Sequence, residues 1–341
     1  MKSSEEEVYK KDKSNITDTK FDSKEELINK AFNLHSKKNF SEAAKYYQLF
    51  IDKGFKDERV FSNYGLILQS LGKLEEAEFT VRKAIEINPN FANAYLNLGN
   101  ILRNLGSLKE AEEYTRKAIV INPSLSDAHS NLGIILKELD RLEEAEESML
   151  KAIAIRPDYV NAYSNLGVIL KDLGKLKEAE EYTRKAIEIH PGFAYAHYNL
   201  GGILKGLGEL NEAEESARRA IKLNPSFGDA HFSLGSILKS LGKLEEAEKL
   251  ARKAVDINPH CAKANHLLSL VLSDKGNYSE AIEEIKKTIK KENDNHIYQG
   301  ELTRLKYILK ELDLKKKSSN SPWEMQDDYY LEDNGQKTLM V

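Results

Sequence analysis

Six of the seven prolines in this 341-residue chain stand 34 residues apart. They are Pro89, Pro123, Pro157, Pro191, Pro225 and Pro259. Proline lacks a backbone N–H and ends helices, so an even row of prolines divides a chain into segments of equal length. A period of about 20–50 residues is the signature of a repeat protein, in which each repeat packs on its neighbours. The spacing therefore predicts an array of small repeats.

Glycine and alanine follow the same period. One glycine row consists of Gly65, Gly99, Gly133, Gly167, Gly201 and Gly235, and a second consists of Gly72, Gly106, Gly174, Gly208, Gly242 and Gly276. An alanine row, Ala43, Ala77, Ala111, Ala145, Ala179, Ala213, Ala247 and Ala281, extends the period by one repeat at each end. We therefore expect eight repeats, at residues 24–57, 58–91, 92–125, 126–159, 160–193, 194–227, 228–261 and 262–295.

A single repeat, residues 92–125, predicts two helices. Apolar residues recur at helical spacing from Tyr95 to Leu102 and again from Leu108 to Ile119, and Gly106 interrupts them. Glycine suits the left-handed residue that ends a helix. The residues of the first glycine row and of the alanine row have little or no side chain to separate two helices. We therefore expect the helix backbones to approach most closely at these residues.

The residues Tyr95, Leu98–Gly99, Ala111, Ala118 and Pro123 in a 34-residue repeat resemble the tetratricopeptide repeat. This chain has Tyr, Phe or His where that pattern has Trp, and Leu for the second aromatic residue. The resemblance implies an all-α, right-handed superhelical solenoid whose first helices line a concave groove. We expect residues 296–314, with Ile297, Leu302, Leu305, Leu309 and Leu312 at helical spacing, to form a capping helix. Residues 1–23 and 315–341 are expected to be flexible.

One row of asparagines lies on the predicted first helices. It consists of Asn63, Asn97, Asn131, Asn165 and Asn199. An asparagine amide both donates and accepts hydrogen bonds, so such a row can bind the backbone of an extended peptide. The run from Ala94 to Asn100 also resembles the arrays of O-linked N-acetylglucosamine transferases, in which a similar asparagine ladder lines the superhelix. The alternative is structural: these amides cap neighbouring turns or bridge adjacent repeats.

A basic row follows four residues after each first-row glycine: Arg103, Lys137, Lys171, Lys205 and Lys239. Like charges along one groove favour an acidic or polar partner and salt-sensitive binding. Glu138 and Asp172 partly neutralise the row, and a solvated lysine stripe is the alternative. The predicted second helices carry Glu–Arg pairs four residues apart, Glu78–Arg82, Glu112–Arg116, Glu180–Arg184, Glu214–Arg218 and Glu248–Arg252, which we interpret as helix support.

Composition offers no sign of catalysis or of other partners. The formal net charge is −4, which gives no general attraction to nucleic acid, and no apolar run of membrane-spanning length or charged-then-apolar leader is present. His129, His197 and His231 occupy the aromatic position of their repeats, so we expect them to pack rather than to bind metal. Cys261 is the single cysteine and is interpreted as a small apolar filler. We expect no cofactor, no nucleic acid partner and a cytoplasmic protein.

The C-terminal segment differs from the repeats and holds the only tryptophan, Trp323. One hypothesis is that this acidic, aromatic tail folds back onto the basic groove. A second is that residues 337–341 form the first strand of an absent domain. The sequence as a whole predicts a non-catalytic scaffold that binds an extended polypeptide in its groove. The alternative is a substrate-recruiting array for a transferase whose catalytic domain is absent or on another chain.

Overall fold

A computed structural model describes residues 23–292, 295–320, 330–333 and 336–339. The predictions for residues 1–22, and for most of the acidic, aromatic tail, lie outside the described residues. In the part that is described, the chain forms seventeen helices and one two-stranded hairpin. No described helix has the length and apolar character needed to cross a bilayer.

The helices alternate along the chain with short turns and loops. Their bounds are α1 Lys24–Ser36, α2 Phe40–Asp52, α3 Glu58–Ser70, α4 Leu74–Ile87, α5 Ala92–Asn104, α6 Leu108–Ile121, α7 Ser126–Glu138, α8 Leu142–Ile155, α9 Val160–Asp172, α10 Leu176–Ile189, α11 Ala194–Leu207, α12 Leu210–Leu223, α13 Gly228–Ser240, α14 Leu244–Ile257, α15 Ala262–Asp274, α16 Tyr278–Lys291 and α17 His296–Asn320. The predicted helix–turn–helix pattern and the all-α class are confirmed.

The chain divides into two compact units, residues 1–169 and residues 170–341. In the first unit α3 packs on α4, α5 on α6 and α7 on α8, and each pair contacts the next. The second unit repeats this arrangement with α11 and α12, α13 and α14, and α15 and α16. The first helices of successive repeats also contact each other, α3 with α5 and α5 with α7 in one unit, α11 with α13 and α13 with α15 in the other. We call the surface that these helices form in each unit the first-helix face.

The turn inside each repeat depends on a left-handed residue. Gly106 has φ 79°, its N–H donates to the Arg103 carbonyl, and the next N–H, of Ser107, donates to the Leu102 carbonyl. Glycine adopts this conformation without the steric cost that a Cβ imposes. In the fourth repeat the equivalent residue is Asp140, with φ 60° and the same backbone hydrogen bonds.

Small residues mark the closest approach of the two helices in a repeat, as predicted. A Cβ added at Gly99 would lie 2.3 Å from the Thr115 Oγ1 and 3.2 Å from the Ala111 carbonyl oxygen. Ala111 and Ala118 are fully buried on the facing side of α6. The backbones can come this close only because no side chain stands between them.

The last helix differs from the prediction in two respects. It runs from His296 to Asn320, six residues beyond the predicted end at 314. Leu305 is buried in the core as expected and Leu302 and Leu309 pack against it, but Ile297 is 70% exposed, and Tyr298 takes the place in the core that the spacing suggested for Ile297. A single-residue offset rotates a helical side chain by about 100°, which is enough to exchange the buried and exposed sides. Leu312 is also exposed.

The C-terminal strand is part of a hairpin. Strand β1, Tyr330–Asp333, pairs antiparallel with β2, Gln336–Leu339, in the register Tyr330 to Leu339 and Asp333 to Gln336. The segment predicted as the first strand of an absent domain is therefore the second strand of this hairpin, apart from residues 340 and 341, which lie outside the described residues.

Candidate functional site

The asparagine row lies on first helices, with Asn63, Asn97 and Asn131 on the first-helix face of the first unit, Asn165 on α9 and Asn199 on the first-helix face of the second unit. All five side chains are half-buried. Asn97 on α5 donates an Nδ2 hydrogen to the Ser62 Oγ on α3, at 2.8 Å. Asn63 is in hydrogen-bonding contact with the Tyr47 hydroxyl, whose pKa rises to about 12 chiefly because the ring is buried. The structural alternative is thus realised at Asn97, which bridges adjacent repeats. That single hydrogen bond fixes the orientation of the amide and occupies only one of its polar groups.

The other members of the row differ among themselves. Asn131 and Asn165 make no side-chain hydrogen bond to the residues that the structure describes, although both are half-buried. Asn199, in the second compact unit, has an interaction partner. The residue 35 positions before Asn131 is Leu96, which cannot accept a hydrogen bond as Ser62 does. The row is therefore regular in position but varied in its partners.

Two members of the basic row converge in the second compact unit. Lys205 on α11 donates from Nζ to the Ser236 Oγ on α13 at 2.5 Å. Burial lowers the pKa of Lys205, and the positive charge of Lys239 lowers it further. Lys239 itself forms an ion pair with Asp274 on α15, at 2.8 Å. The charge of Lys239 therefore disfavours that of Lys205, and the Asp274 carboxylate already compensates Lys239.

The remaining members are spread over both units. Arg103 is half-buried and forms no ion pair with the residues that the structure describes, whereas Lys137 has an interaction partner. Lys171 is exposed, and its Nζ lies 4.0 Å from the Oδ1 of Asp172, the acid expected to neutralise it in part. The row is accordingly not a series of five equal charges, because Lys239 and Lys171 have acidic neighbours and Lys205 is partly desolvated.

Each of the three repeat histidines has the same local role. His129, His197 and His231 place Nε2 at 3.0 Å from the carbonyl oxygens of Pro123, Pro191 and Pro225, respectively. A carbonyl oxygen can only accept, so each Nε2 carries the hydrogen. Packing was expected for these side chains, but the hydrogen bond was not, although the constant six-residue offset from proline was an available signal. In the described residues, no group of three or more His, Cys, Asp or Glu side chains could hold a metal ion.

The Glu–Arg pairs of the second helices extend between repeats. Each arginine contacts the glutamate four residues earlier and also a glutamate 28 residues later. The later partners are Glu110 for Arg82, Glu144 for Arg116, Glu212 for Arg184, Glu246 for Arg218 and Glu280 for Arg252. Helical spacing alone predicted only the first contact. The second ties the second helices of neighbouring repeats together.

Models of the tetratricopeptide repeat match residues 65–106, 92–125, 124–192, 198–262 and 238–305. Between residues 65 and 305 only 193–197 are unmatched. No curated protein matches the sequence at a significant level. The family is thus indicated by the repeats themselves.

Solved structures similar to this chain include other helical arrays. The crystal structure of the APC/C hetero-tetramer Cut9–Hcn1 matches with 16% identity and a TM-score of 0.67, over 82% of this chain and 55% of that one. The chain thus spans about half the length of that relative. A structure from the functional characterization of pilF of Pseudomonas aeruginosa matches with 22% identity and a TM-score of 0.53, over 61% of this chain and 94% of that one. At these identities the likeness concerns the fold.

Proposed function

The chain belongs to the tetratricopeptide repeat proteins, and we propose that it is a non-catalytic scaffold that binds an extended polypeptide on its first-helix face. One observation carries the proposal: the repeated, half-buried row of asparagine amides, one member of which is already oriented by a neighbouring serine. Partial burial strengthens a hydrogen bond to a ligand because fewer water molecules compete for the amide.

The spacing of the row supports an extended ligand. Packed helices lie about 8–10 Å apart, and an extended chain advances about 3.3 Å per residue. Successive amides would therefore meet the ligand backbone at about every third residue. Because amides bind the backbone, the scaffold would accept many sequences, and selectivity would come from the side chains around the row.

The basic residues favour an acidic ligand. Arg103, Lys137, Lys171, Lys205 and Lys239 accompany the asparagines along the first helices. Lys205 has the clearest reason to bind a carboxylate, because burial and the nearby charge of Lys239 both disfavour its ammonium form and an anion there would offset them. Binding should weaken as salt is added, since partly exposed charges are screened.

The expected affinity follows from the number of contacts. A net hydrogen bond contributes about 0.5–1.5 kcal/mol, and ordering a flexible peptide opposes it. The four amides of the first unit, with some ionic contribution, would give dissociation constants in the rough micromolar range.

The test compares two sets of Asn→Ala changes. The first set is Asn97, Asn131, Asn165 and Asn199 on the first-helix face, and the control set is the exposed pair Asn90 and Asn211, which lie outside it. Each protein, after circular dichroism shows equal helicity, is used for affinity capture, and the captured segment is then titrated by calorimetry. We expect the first set to weaken binding by at least about 12-fold, from the three bonds lost in the first unit at about 0.5 kcal/mol each, and the control set to leave it unchanged. Equal binding by all three proteins would mean that the row is structural.

Substrate recruitment for a transferase is the alternative, and it rests on the resemblance of the asparagine row to that of O-linked N-acetylglucosamine transferase arrays. This alternative requires a second protein that supplies the catalytic domain. It predicts transfer of a sugar from a nucleotide sugar to a captured protein only when that second protein is added. Capture without any transfer activity in the captured material would favour the plain scaffold.

A further inference from the structure

The loop between two repeats carries a large residue that packs where the two repeats meet. We call this place the joint. In the second compact unit this residue is Phe227, which is 7% exposed. Its ring lies 4.6 Å from that of Tyr195 and 5.0 Å from that of Tyr198, measured between centroids. Ala194, Ala220, Ile221 and Ala230 complete the surroundings. Phe91, Leu125, Tyr159 and Phe193 hold the equivalent position in earlier repeats.

One repeat later the same position is Cys261, and the ring is missing. A cavity of about 300 Å³ lies there. It is lined by Gly228, Asp229, Phe232, Ala254, Ile257, Asn258, Cys261 and Ala264. Five of these lining residues, Gly228, Asp229, Phe232, Ala254 and Ala264, are the 34-residue equivalents of Ala194, Tyr195, Tyr198, Ala220 and Ala230 around Phe227.

The substitutions in this joint all make it larger. Cysteine replaces an aromatic ring at 261, glycine replaces alanine at 228, and aspartate at 229 replaces the tyrosine that covers Phe227. The joint keeps its aromatic wall, because Phe232 stands where Tyr198 packs on Phe227. The cavity therefore has the shape that holds an aromatic ring in the preceding joint, but it lacks that ring and the tyrosine that covers it.

We propose that this cavity, which we call the Cys261 slot, receives an aromatic side chain of a protein partner. The ring would lie against Phe232 and above Ala254 and Ala264, as Phe227 does in the preceding joint. An aromatic ring buries a large area and gains from offset contact with another ring, so it is a common anchor of protein interfaces. The slot is built from loop and helix-end residues, and no member of the asparagine or basic row lines it.

The first experiment uses the single thiol of the full chain as the reporter. Cys261 is half-buried, so iodoacetamide should alkylate it at a measurable rate. We expect p-cresol, the tyrosine side-chain analogue, to slow alkylation in a saturable way, by about elevenfold at ten times its dissociation constant. Its saturated counterpart, 4-methylcyclohexanol, should protect less because it cannot stack on Phe232. No protection by p-cresol, or equal protection by both compounds, would overturn the proposal.

The second experiment fills the slot from within. Cys261→Phe restores the residue of the preceding joint, and Cys261→Leu restores that of an earlier one in case phenylalanine overpacks. We expect p-cresol to raise the melting temperature of the wild type and to leave that of the filled variants unchanged. If p-cresol raised the melting temperature of all three proteins by a similar amount, it would bind elsewhere and the proposal would be wrong.

The third experiment separates a partner from the chain's own aromatic tail. Peptides are selected from a display library on the wild type, with counter-selection on Cys261→Phe. We expect the selected peptides to share an aromatic residue whose replacement by alanine reduces binding at least tenfold. They should still bind the variant in which Asn97, Asn131, Asn165 and Asn199 are all alanine. If deletion of residues 321–341 instead accelerates Cys261 alkylation, the tail fills the slot and the partner proposal is wrong.

Discussion

Gly99 is the position at which the helix packing can be tested most sharply. In Gly99→Ala the new methyl group would lie 2.3 Å from the Thr115 Oγ1 and 3.2 Å from the Ala111 carbonyl oxygen. Thr115 is fully buried, so it yields either by leaving its present χ1 rotamer or by moving with α6. Overpacking of this kind costs about 1–3 kcal/mol, against a gain of about 1 kcal/mol from the better helix propensity of alanine. We expect a net loss of up to about 2 kcal/mol.

The sixth repeat provides the matched control. A methyl group at Gly201 would meet nothing closer than 3.2 Å, because Ala217 stands where the third repeat has Thr115. Gly201→Ala should therefore be neutral or stabilising. Thr115→Ala removes the clashing oxygen, which is a buried hydroxyl without a hydrogen-bond partner in the described residues, and should by itself cost little. The double variant Gly99→Ala/Thr115→Ala should recover most of the stability, with a coupling energy of about 0.5–2 kcal/mol.

Urea denaturation followed by far-ultraviolet circular dichroism measures these differences, and hydrogen exchange of α5 and α6 localises them. The linear dependence of the unfolding free energy on urea must keep its slope for the comparison to hold. If Gly99→Ala is as stable as the wild type, or if Thr115→Ala fails to rescue it, the helices do not approach as described and the argument from close packing is refuted.

Three further changes test other parts of the fold. Asp140→Gly should stabilise the protein by about 0.5–1 kcal/mol and raise its melting temperature, because it removes a side chain from a left-handed position. Asp140→Ala is the control, and it should not raise the melting temperature. Arg218→Met should cost less than about 1 kcal/mol, since its ion pairs are partly exposed, and the difference from wild type should shrink at about 1 M salt; an undiminished difference would indicate lost packing instead. Burial alone would raise the pKa of Asp57, but its ion pair with Arg59 and bonds to helix N–H groups outweigh this and lower the pKa below its usual 3.8. The stability from the charged form is present above 3.8 and is lost as the pH falls through the lower folded pKa, so the deficit of Asp57→Asn seen at neutral pH should shrink in acid denaturation profiles as the pH falls below 3.8.

Much of the fold was predictable because its determinants are local. Gly106 ends a helix through its own φ angle, and Pro123 prevents a helix from continuing through its missing N–H, so each acts whatever surrounds it. Apolar residues at helical spacing then identify the buried side of each helix. The same local logic failed at the end of the array, where Ile297 and Tyr298 both fit an apolar stripe and only packing against α15 and α16 decided between them.

The candidate site was predicted in position but not in its contacts. The asparagine and basic rows lie on first helices as expected, yet the Asn97–Ser62 bond joins residues 35 apart and the Lys205–Ser236 bond joins residues 31 apart. Such offsets depend on the angle and shift between neighbouring repeats, which no spacing within one helix encodes. The Arg218–Glu246 contact was missed for the same reason, although a search for charges recurring 28 residues apart would have found it.

By itself, then, the sequence determined the period, the helices and their turns, because these follow from backbone preferences and from apolar spacing inside one repeat. Only the tertiary structure decided which polar groups meet across repeats, and that the single cysteine borders a cavity rather than filling a gap. Whether Cys261 leaves space depends on the volume enclosed by two adjacent repeats. That volume becomes defined only when side chains far apart in sequence are packed around it.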